Sequence, residues 1–409
     1  MATEFGKSSR VKLEMPPPIP FPEKGMPEEE VLKRLKEKLS ENAPTEKNFG
    51  LSYAGPPHPL AKKVVDMALN TTTVTWAKPV FYGTYMMEKE AVRMVGSLLG
   101  APNAVGFITS GGTESNLLAM RIARNLAKKR KPEVIMPATG HFSFNLAGEL
   151  FGIKVKRVGW NEDRSPRMDE VEAAINDNTI ALVCSAPEGE LGLMDPIEEF
   201  SKIAEENELY LHVDAAFGGF ALPFMREMGY EVPPFDFNLP GVSSMTADGH
   251  KLGLLPLTTS FSLFRDESFL EGIPVEESHI WTITSTKNGG FAASAWALFQ
   301  HLGKEGYKET IRKILEVTQF LSEGISRIEG LRLLAKPFLT VIGFTADDYD
   351  IKIVYDELRR KGWGCFFGKD ALNQEDYIRL SLHPFRDMEH ARGFLEALED
   401  SVKVAKSSH

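Results

Sequence analysis

The chain has 409 residues, 43% of them apolar and 25% charged, enough to bury a large core in what reads as two domains behind an N-terminal arm. A net charge of −10 leaves no basic footprint for nucleic acid or an anionic membrane surface. No apolar run approaches a membrane span and MATEFGKSSRVKLEMPPPIPFPEKG lacks an apolar signal core, so a cytoplasmic protein is expected.

Residues 1 to 26 are proline-rich, and PPPIPFP excludes a helix there. The stretch PEEEVLKRLKEKLS then predicts a short amphipathic helix with Val31, Leu35 and Leu39 on one face, and arm plus helix occupy 1–48. From 49 to 295, strand-like runs (AVGFITS, EVIMPA, KVKRVGW, IALVCSA, LYLHVDAA) alternate with helical stretches such as ESNLLAMRIARNLAKK and PIEEFSKIAEEN. That alternation predicts an α/β domain, a mostly parallel sheet covered by helices. After AASAWALFQHLG the pattern changes to LRLLAKPFLTVIGF, a helix in IKIVYDELRRKG, strands in GCFFG and YIRLSLHP, and a last helix in MEHARGFLEALEDSVKVA. This predicts a small C-terminal α+β domain over 296–409. The two cysteines, Cys184 and Cys365, have no CxxC or zinc spacing and suit a reducing compartment. Asn70-Thr71-Thr72 matches a glycosylation sequon, which carries no meaning without secretion.

Chemistry in such a sheet is expected at the C-terminal ends of strands. Ser110-Gly111-Gly112-Thr113-Glu114 closes the strand AVGFIT and opens a helix. Two glycines let backbone amides converge on an anion, and the hydroxyls of Ser110 and Thr113 add donors; an ordinary capped helix start would look the same. Asp214 ends LYLHVDAAFGG, and the small residues after it, Ala216 among them, would let a flat ligand approach. His212 shares its strand face, which makes a metal pair conceivable, although no further ligands cluster with it. His141, in TGHFSF, follows another strand and could stack on an aromatic ring or serve only the structure. His250-Lys251, in SSMTADGHKLG, offers an amine for covalent chemistry, where most lysines simply face solvent.

An anion seat, a carboxylate for a ring nitrogen, an imidazole for a ring face and an amine able to form a Schiff base are together what pyridoxal 5'-phosphate requires. SGGTESN, GHFSF, HVDAAFGG and ADGHK, in this order, resemble the group II pyridoxal-phosphate decarboxylases and the related sphingosine-1-phosphate lyases of fold type I. The likeness runs from FPEKGMPEEEVL almost to the C-terminus. It implies Lys251 as the Schiff-base lysine, Asp214 on the pyridinium nitrogen, His141 on the ring face, Ser110, Gly111, Gly112, Thr113 and His250 around the phosphate, and Ala216 beside the ring. It also implies a homodimer whose active site is shared between subunits, with Ser285 reaching the phosphate of the neighbouring subunit.

The substrate end is mixed. SAPEGELGLMDPI, PPFDFNLPGVSS and GGFAASAW look more like the lyases, yet the NPLH-type segment that holds a substrate phosphate there is replaced by Asn70-Thr71-Thr72-Thr73. Arg379, in YIRLSLHP, resembles the decarboxylase arginine and suits a bidentate grip on an α-carboxylate; otherwise it is a strand-edge arginine in solvent. Where both branches carry Gly-(Ser/Thr)-Arg, this chain has Ser285-Thr286-Lys287, which keeps the charge without the fork. Tyr53, in SYAG, matches a lyase tyrosine near the substrate and is a candidate proton donor. Phe49, Trp76, Phe81, Tyr82 and Tyr85 crowd the region expected to line the pocket, Tyr82 being a substrate-contact candidate, although core packing also explains such residues.

The function expected is that of a carbon-carbon lyase, foremost an amino-acid decarboxylase acting on an aromatic or acidic substrate, with aldehyde-lyase action on a phosphorylated amino alcohol second. A fold that binds the cofactor without turnover is a third reading; retention of both Asp214 and Lys251 argues against it. The GxGxxG match at 362–368 follows a helix and runs into a strand, the reverse of a nicotinamide site, and reads as a helix cap and turn.

Overall fold

Runs of β-branched and aromatic residues bounded by glycine, proline and asparagine set the strands of a computed structural model that describes residues 16–50, 55–274, 280–370 and 372–407. Strands β1 (Val105–Thr109), β2 (Glu133–Pro137), β3 (Lys154–Val158), β4 (Thr179–Ser185), β5 (Tyr210–Asp214), β6 (Val242–Asp248) and β7 (Ser260–Phe264) form one sheet in the order β1-β7-β6-β5-β4-β2-β3. The strands β6, β5, β4, β2 and β3 are parallel to their neighbours in that series, whereas β7 runs antiparallel to both β1 and β6. The link from Asp248 to Ser260 contains no helix, so the chain cannot cross over the sheet and returns antiparallel. Every residue of β4, β5, β6 and β7 is buried, as a sheet covered on both faces requires.

A second sheet joins β8 (Leu331–Leu333), β9 (Val341–Ala346), β10 (Phe366–Lys369) and β11 (Asp376–Ser381) in the antiparallel order β10-β11-β9-β8. The helices Ile351–Arg360 and Met388–Ser407 supply its apolar cover, through Val354, Leu358, Phe394 and Leu398. One long helix, Gly289–Arg327, links the two cores and breaks at Gly303, whose φ is +53°. Ala292, Ala295, Leu298, Tyr307 and Ile311 of this helix pack in the core of the large sheet, and Ile314, Val317, Leu321 and Ile325 in that of the small one. The change of core therefore falls between Ile311 and Ile314, within a helix whose full length the residue pattern does not reveal.

Phe49 is wholly buried in the second core, stacked on Phe394 and edge-on to Trp363. It belongs to the packing rather than to a substrate pocket. Gly362 takes φ +84°, and the amides of Gly362 and Trp363 reach back to Arg359 and Leu358, so the GxGxxG stretch is the helix cap its context suggests. The described residues up to 43 form a unit of their own. Within it the helix Glu28–Leu39 buries none of its residues, and Val31, Leu35 and Leu39 are each about half exposed or more. Among the described residues, no helix is long and apolar enough to cross a membrane.

Candidate active site

At the end of β1 the chain turns through Ser110 and Gly111 into the helix Gly112–Ala127. Gly111 has φ +142°, which disfavours a side chain, and open space lies where its Cβ would stand. A Cβ on Gly112 would lie 2.8 Å from Asp248 Oδ1, so only glycine allows this close approach. Glu114 fastens the turn: its Oε2 accepts the Ser110 amide at 2.7 Å, while Oε1 accepts the amide and hydroxyl of Thr284, each at 2.8 Å. That buried carboxylate ties the helix start to the loop that carries Ser285.

Asp214 closes β5, buried, with Oδ1 accepting the Ala216 amide at 3.1 Å. Its Oδ2 accepts from Asn116 Nδ2 at 2.8 Å, and the same amide nitrogen donates to Ser143 Oγ at 3.0 Å. In the sequence Asn116 stands only as one letter of SGGTESN; a buried amide inside an otherwise apolar helix face is the signal that marks it, because such a group must find partners. The glycines after Asp214 serve chain packing, not a ligand: a Cβ on Gly218 would collide with the Ala186 carbonyl oxygen, and one on Gly219 would lie 2.5 Å from Ala247 Cβ. His212 is no metal ligand, since Nε2 is 3.0 Å from Asn116 Oδ1 and Nδ1 is 2.7 Å from Ser244 Oγ. Burial pushes its pKa down to about 4 against the pull of Asp214, so the ring is neutral at neutral pH.

His141 lies past the end of β2 with its ring exposed. Its Nδ1 meets Ser143 Oγ at 2.9 Å and accepts the Ser143 amide at 3.2 Å. Desolvation lowers its pKa, with Asp214 opposing and Lys251 adding to the lowering.

Lys251 Nζ sits 3.1 Å from Asp248 Oδ2 and 4.1 Å from the centroid of the Phe217 ring. His250 Nδ1 donates to the Thr259 carbonyl at 2.9 Å, which turns Nε2 toward Asp248 at 3.7 Å. Burial works to raise the Asp248 carboxyl, and the charges of Lys251 and His250 overcome it, leaving the pKa below its ordinary value. His383 packs behind this group, its pKa driven down to about 3 by burial and by Arg386. Asp248 and His383 lie in stretches whose motifs draw attention to other residues.

The remaining candidates divide. Ser285 lies by a cleft shared with Thr73, Thr75, Glu88, Phe107, Trp281 and Lys287. Lys287 Nζ is engaged by the buried Glu88 at 2.9 Å and by the Ile108 carbonyl at 2.8 Å, so its charge is matched within the chain. Arg379 is not a solvent-facing edge residue: β11 is paired on both sides, the side chain is buried, Nη1 donates to the Gly189 carbonyl at 2.9 Å, and the guanidinium lies 4.1 Å from the Phe366 ring centroid. Tyr82 is 58% exposed at the start of the helix Tyr82–Leu98, with Lys78 Nζ over its ring, and Trp76 is exposed too. Tyr53 lies outside the described residues.

A sequence profile of the pyridoxal-dependent decarboxylase conserved domain matches residues 22–347. The chain belongs to the pyridoxal-dependent decarboxylase family. Among the curated members, it is 39% identical to the L-aspartate decarboxylase of Thermococcus kodakarensis over 94% of this chain and 99% of that one. It is 36% identical to the L-aspartate/L-glutamate decarboxylase of Pyrococcus horikoshii, over 93% and 99% of the two chains. Of solved structures, the sphingosine-1-phosphate lyase of Burkholderia pseudomallei superposes with a TM-score of 0.86 at 30% identity, covering 95% of this chain and 94% of that one. This family member is accordingly a pyridoxal-phosphate-dependent lyase of fold type I.

The residues present fit that cofactor. Asp248 lies against the glycine turn and pairs with Lys251, Asn116 joins Asp214 to the His141 segment, and His141 senses the charges of Asp214, Lys251 and Asp248, so the strand-end groups converge on one place. Asp248 Oδ1, buried beside Gly112, has no hydrogen-bond partner among the described residues.

Proposed function

We propose that this decarboxylase-family chain removes the α-carboxylate of an acidic L-amino acid of the aspartate class, releasing the amine and carbon dioxide. The observation that carries the reading is the end-to-end similarity to an L-aspartate decarboxylase, supported by the convergence of Lys251, Asp214 and His141 at the strand ends. When bound, pyridoxal phosphate supplies an electron sink for the pair left at Cα as the carboxylate departs. Lys251 would provide the amine that holds the cofactor and would return a proton from Nζ. Asp214, fixed by Asn116 and Ala216, would meet the ring nitrogen. His141 offers its exposed ring face. Ser110, Gly111, Gly112, Thr113 and His250 would hold the phosphate, with Ser285 contributing from a second copy. Arg379 grips the substrate carboxylate, Tyr53 serves as proton donor and Tyr82 borders the substrate.

A homodimer accords with the exposed apolar side chains Met67, Leu69, Trp76, Val80 and Tyr82, each more than half exposed between residues 67 and 82 of this chain. A cytoplasmic setting accords with the family. The second reading, aldehyde-lyase action on a phosphorylated amino alcohol, is favoured by the close superposition with a sphingosine-1-phosphate lyase. The deciding assay measures carbon dioxide from L-aspartate, L-glutamate and L-tyrosine beside aldehyde release from a sphingoid-base phosphate. Carbon dioxide from L-aspartate is expected; aldehyde without carbon dioxide transfers the chain to the second reading.

A further inference from the structure

Asn116 stands at the junction of two arms that both serve the cofactor. It is 1% exposed, and all four of its hydrogen-bonding capacities are taken. Its Oδ1 accepts from Thr246 Oγ1 at 2.7 Å and from His212 Nε2 at 3.0 Å, while Nδ2 donates to Asp214 Oδ2 and Ser143 Oγ. The orientation of the amide follows from its partners. A carboxylate at Asp214 must accept, so the nitrogen faces it, and the oxygen then requires donors on the opposite side. Thr246 supplies one. His212 supplies the other, which places its ring proton on Nε2 and makes Nδ1 the acceptor of the Ser244 hydroxyl.

The second arm runs outward. With Ser143 Oγ accepting from Asn116, the Ser143 hydroxyl proton is left for His141 Nδ1, which also accepts the Ser143 amide. Two donors aimed at Nδ1 select the neutral imidazole whose proton is on Nε2; a doubly protonated ring would lose both bonds. We infer that Asn116 is a positioning residue that sets, through one amide, both the carboxylate plane of Asp214 and the tautomer of His141. Thr246 and His212 form the buried brace that keeps this amide from turning over. The inference rests on the family assignment for the identity of the cofactor.

The test uses the full-length protein and pyridoxal phosphate, with cofactor affinity followed by protein fluorescence and the near-visible absorbance of the bound cofactor followed against pH. Asn116→Asp keeps the shape but puts an acceptor against Asp214. It is expected to weaken cofactor binding by about 100-fold and to shift the pH midpoint of the absorbance by about one unit. Thr246→Val removes one brace and leaves the amide in place; about a tenfold weakening with a smaller shift in the same direction is expected. A merely structural asparagine would lower the melting temperature of both variants and leave the pH profile of the folded fraction unmoved. Should Asn116→Asp fail to fold, Thr246→Val decides on the same two readouts. Folded variants with parental affinity and a parental pH profile overturn the assignment to Asn116, whereas a parent protein that takes up no pyridoxal phosphate overturns the family reading along with it.

Discussion

Lys251 Nζ lies 3.1 Å from Asp248 Oδ2, so the half-buried ammonium is met by a buried carboxylate three residues earlier in the chain. Because Asp248 is held below its ordinary value of 3.8, its contribution to stability is in place above about pH 4 and is lost as pH falls through the folded value. Asp248→Asn takes this counter-charge away from Lys251. Melts of cofactor-free protein are expected to show the variant less stable by about 3 kcal/mol at neutral pH, with the gap closing below about pH 4. A gap that is constant across pH would contradict the pairing.

Asp195 gives the opposite dependence. Its Oδ2 accepts the Ser185 amide at 2.7 Å, and burial, with Glu188 and Asp214 nearby, pushes its pKa up to about 8. The folded protein then keeps a proton that the unfolded chain releases, so the burden on stability grows as pH rises from about 4 to about 8 and levels off above. Asp195→Asn retains the acceptor for Ser185 without the titrating charge. Its melting temperature is expected to equal that of the parent near pH 4 and to exceed it by about 3 °C at pH 8, read by calorimetry.

Lys287 is the half-buried partner of the buried Glu88 rather than a spare cation. Burial works to raise the Glu88 carboxyl, but Lys287, Lys89 and the Ile108 amide hold it below its ordinary range. Glu88→Gln and Lys287→Met are each expected to lose about 3 kcal/mol in denaturant melts, and the double variant to recover much of it. Additive losses would show that the two side chains do not act on one another.

Arg379 tests the substrate end. Arg379→Ala is expected to lower kcat/KM for decarboxylation by about 100-fold with cofactor affinity retained, and Arg379→Lys to recover little, because a point charge does not replace a planar fork. A variant that folds and releases carbon dioxide at the parental rate would remove Arg379 from the substrate grip.

Much of this was legible in the sequence, for a physical reason. Asp214 and His141 follow apolar strands, and the Gly111-Gly112 turn opens a helix, so their places at the strand ends follow from periodicity and loop chemistry. Partnerships across the sheet were not legible. Asn116 reaches Asp214 across 98 residues, Glu88 reaches Lys287 across 199 and Arg379 reaches Gly189 across 190, and local spacing carries no trace of such pairings. The antiparallel β7 and the continuous helix through 295 escaped for a related reason: strand direction and helix length are set by which core each segment meets.

Borohydride reduction of the pyridoxal-phosphate-loaded protein, followed by peptide mapping, tests the covalent role of Lys251 most directly. A pyridoxyl label on Lys251 is expected, and its loss in Lys251→Ala. A label on another lysine, or a loaded protein that takes no label, would contradict it.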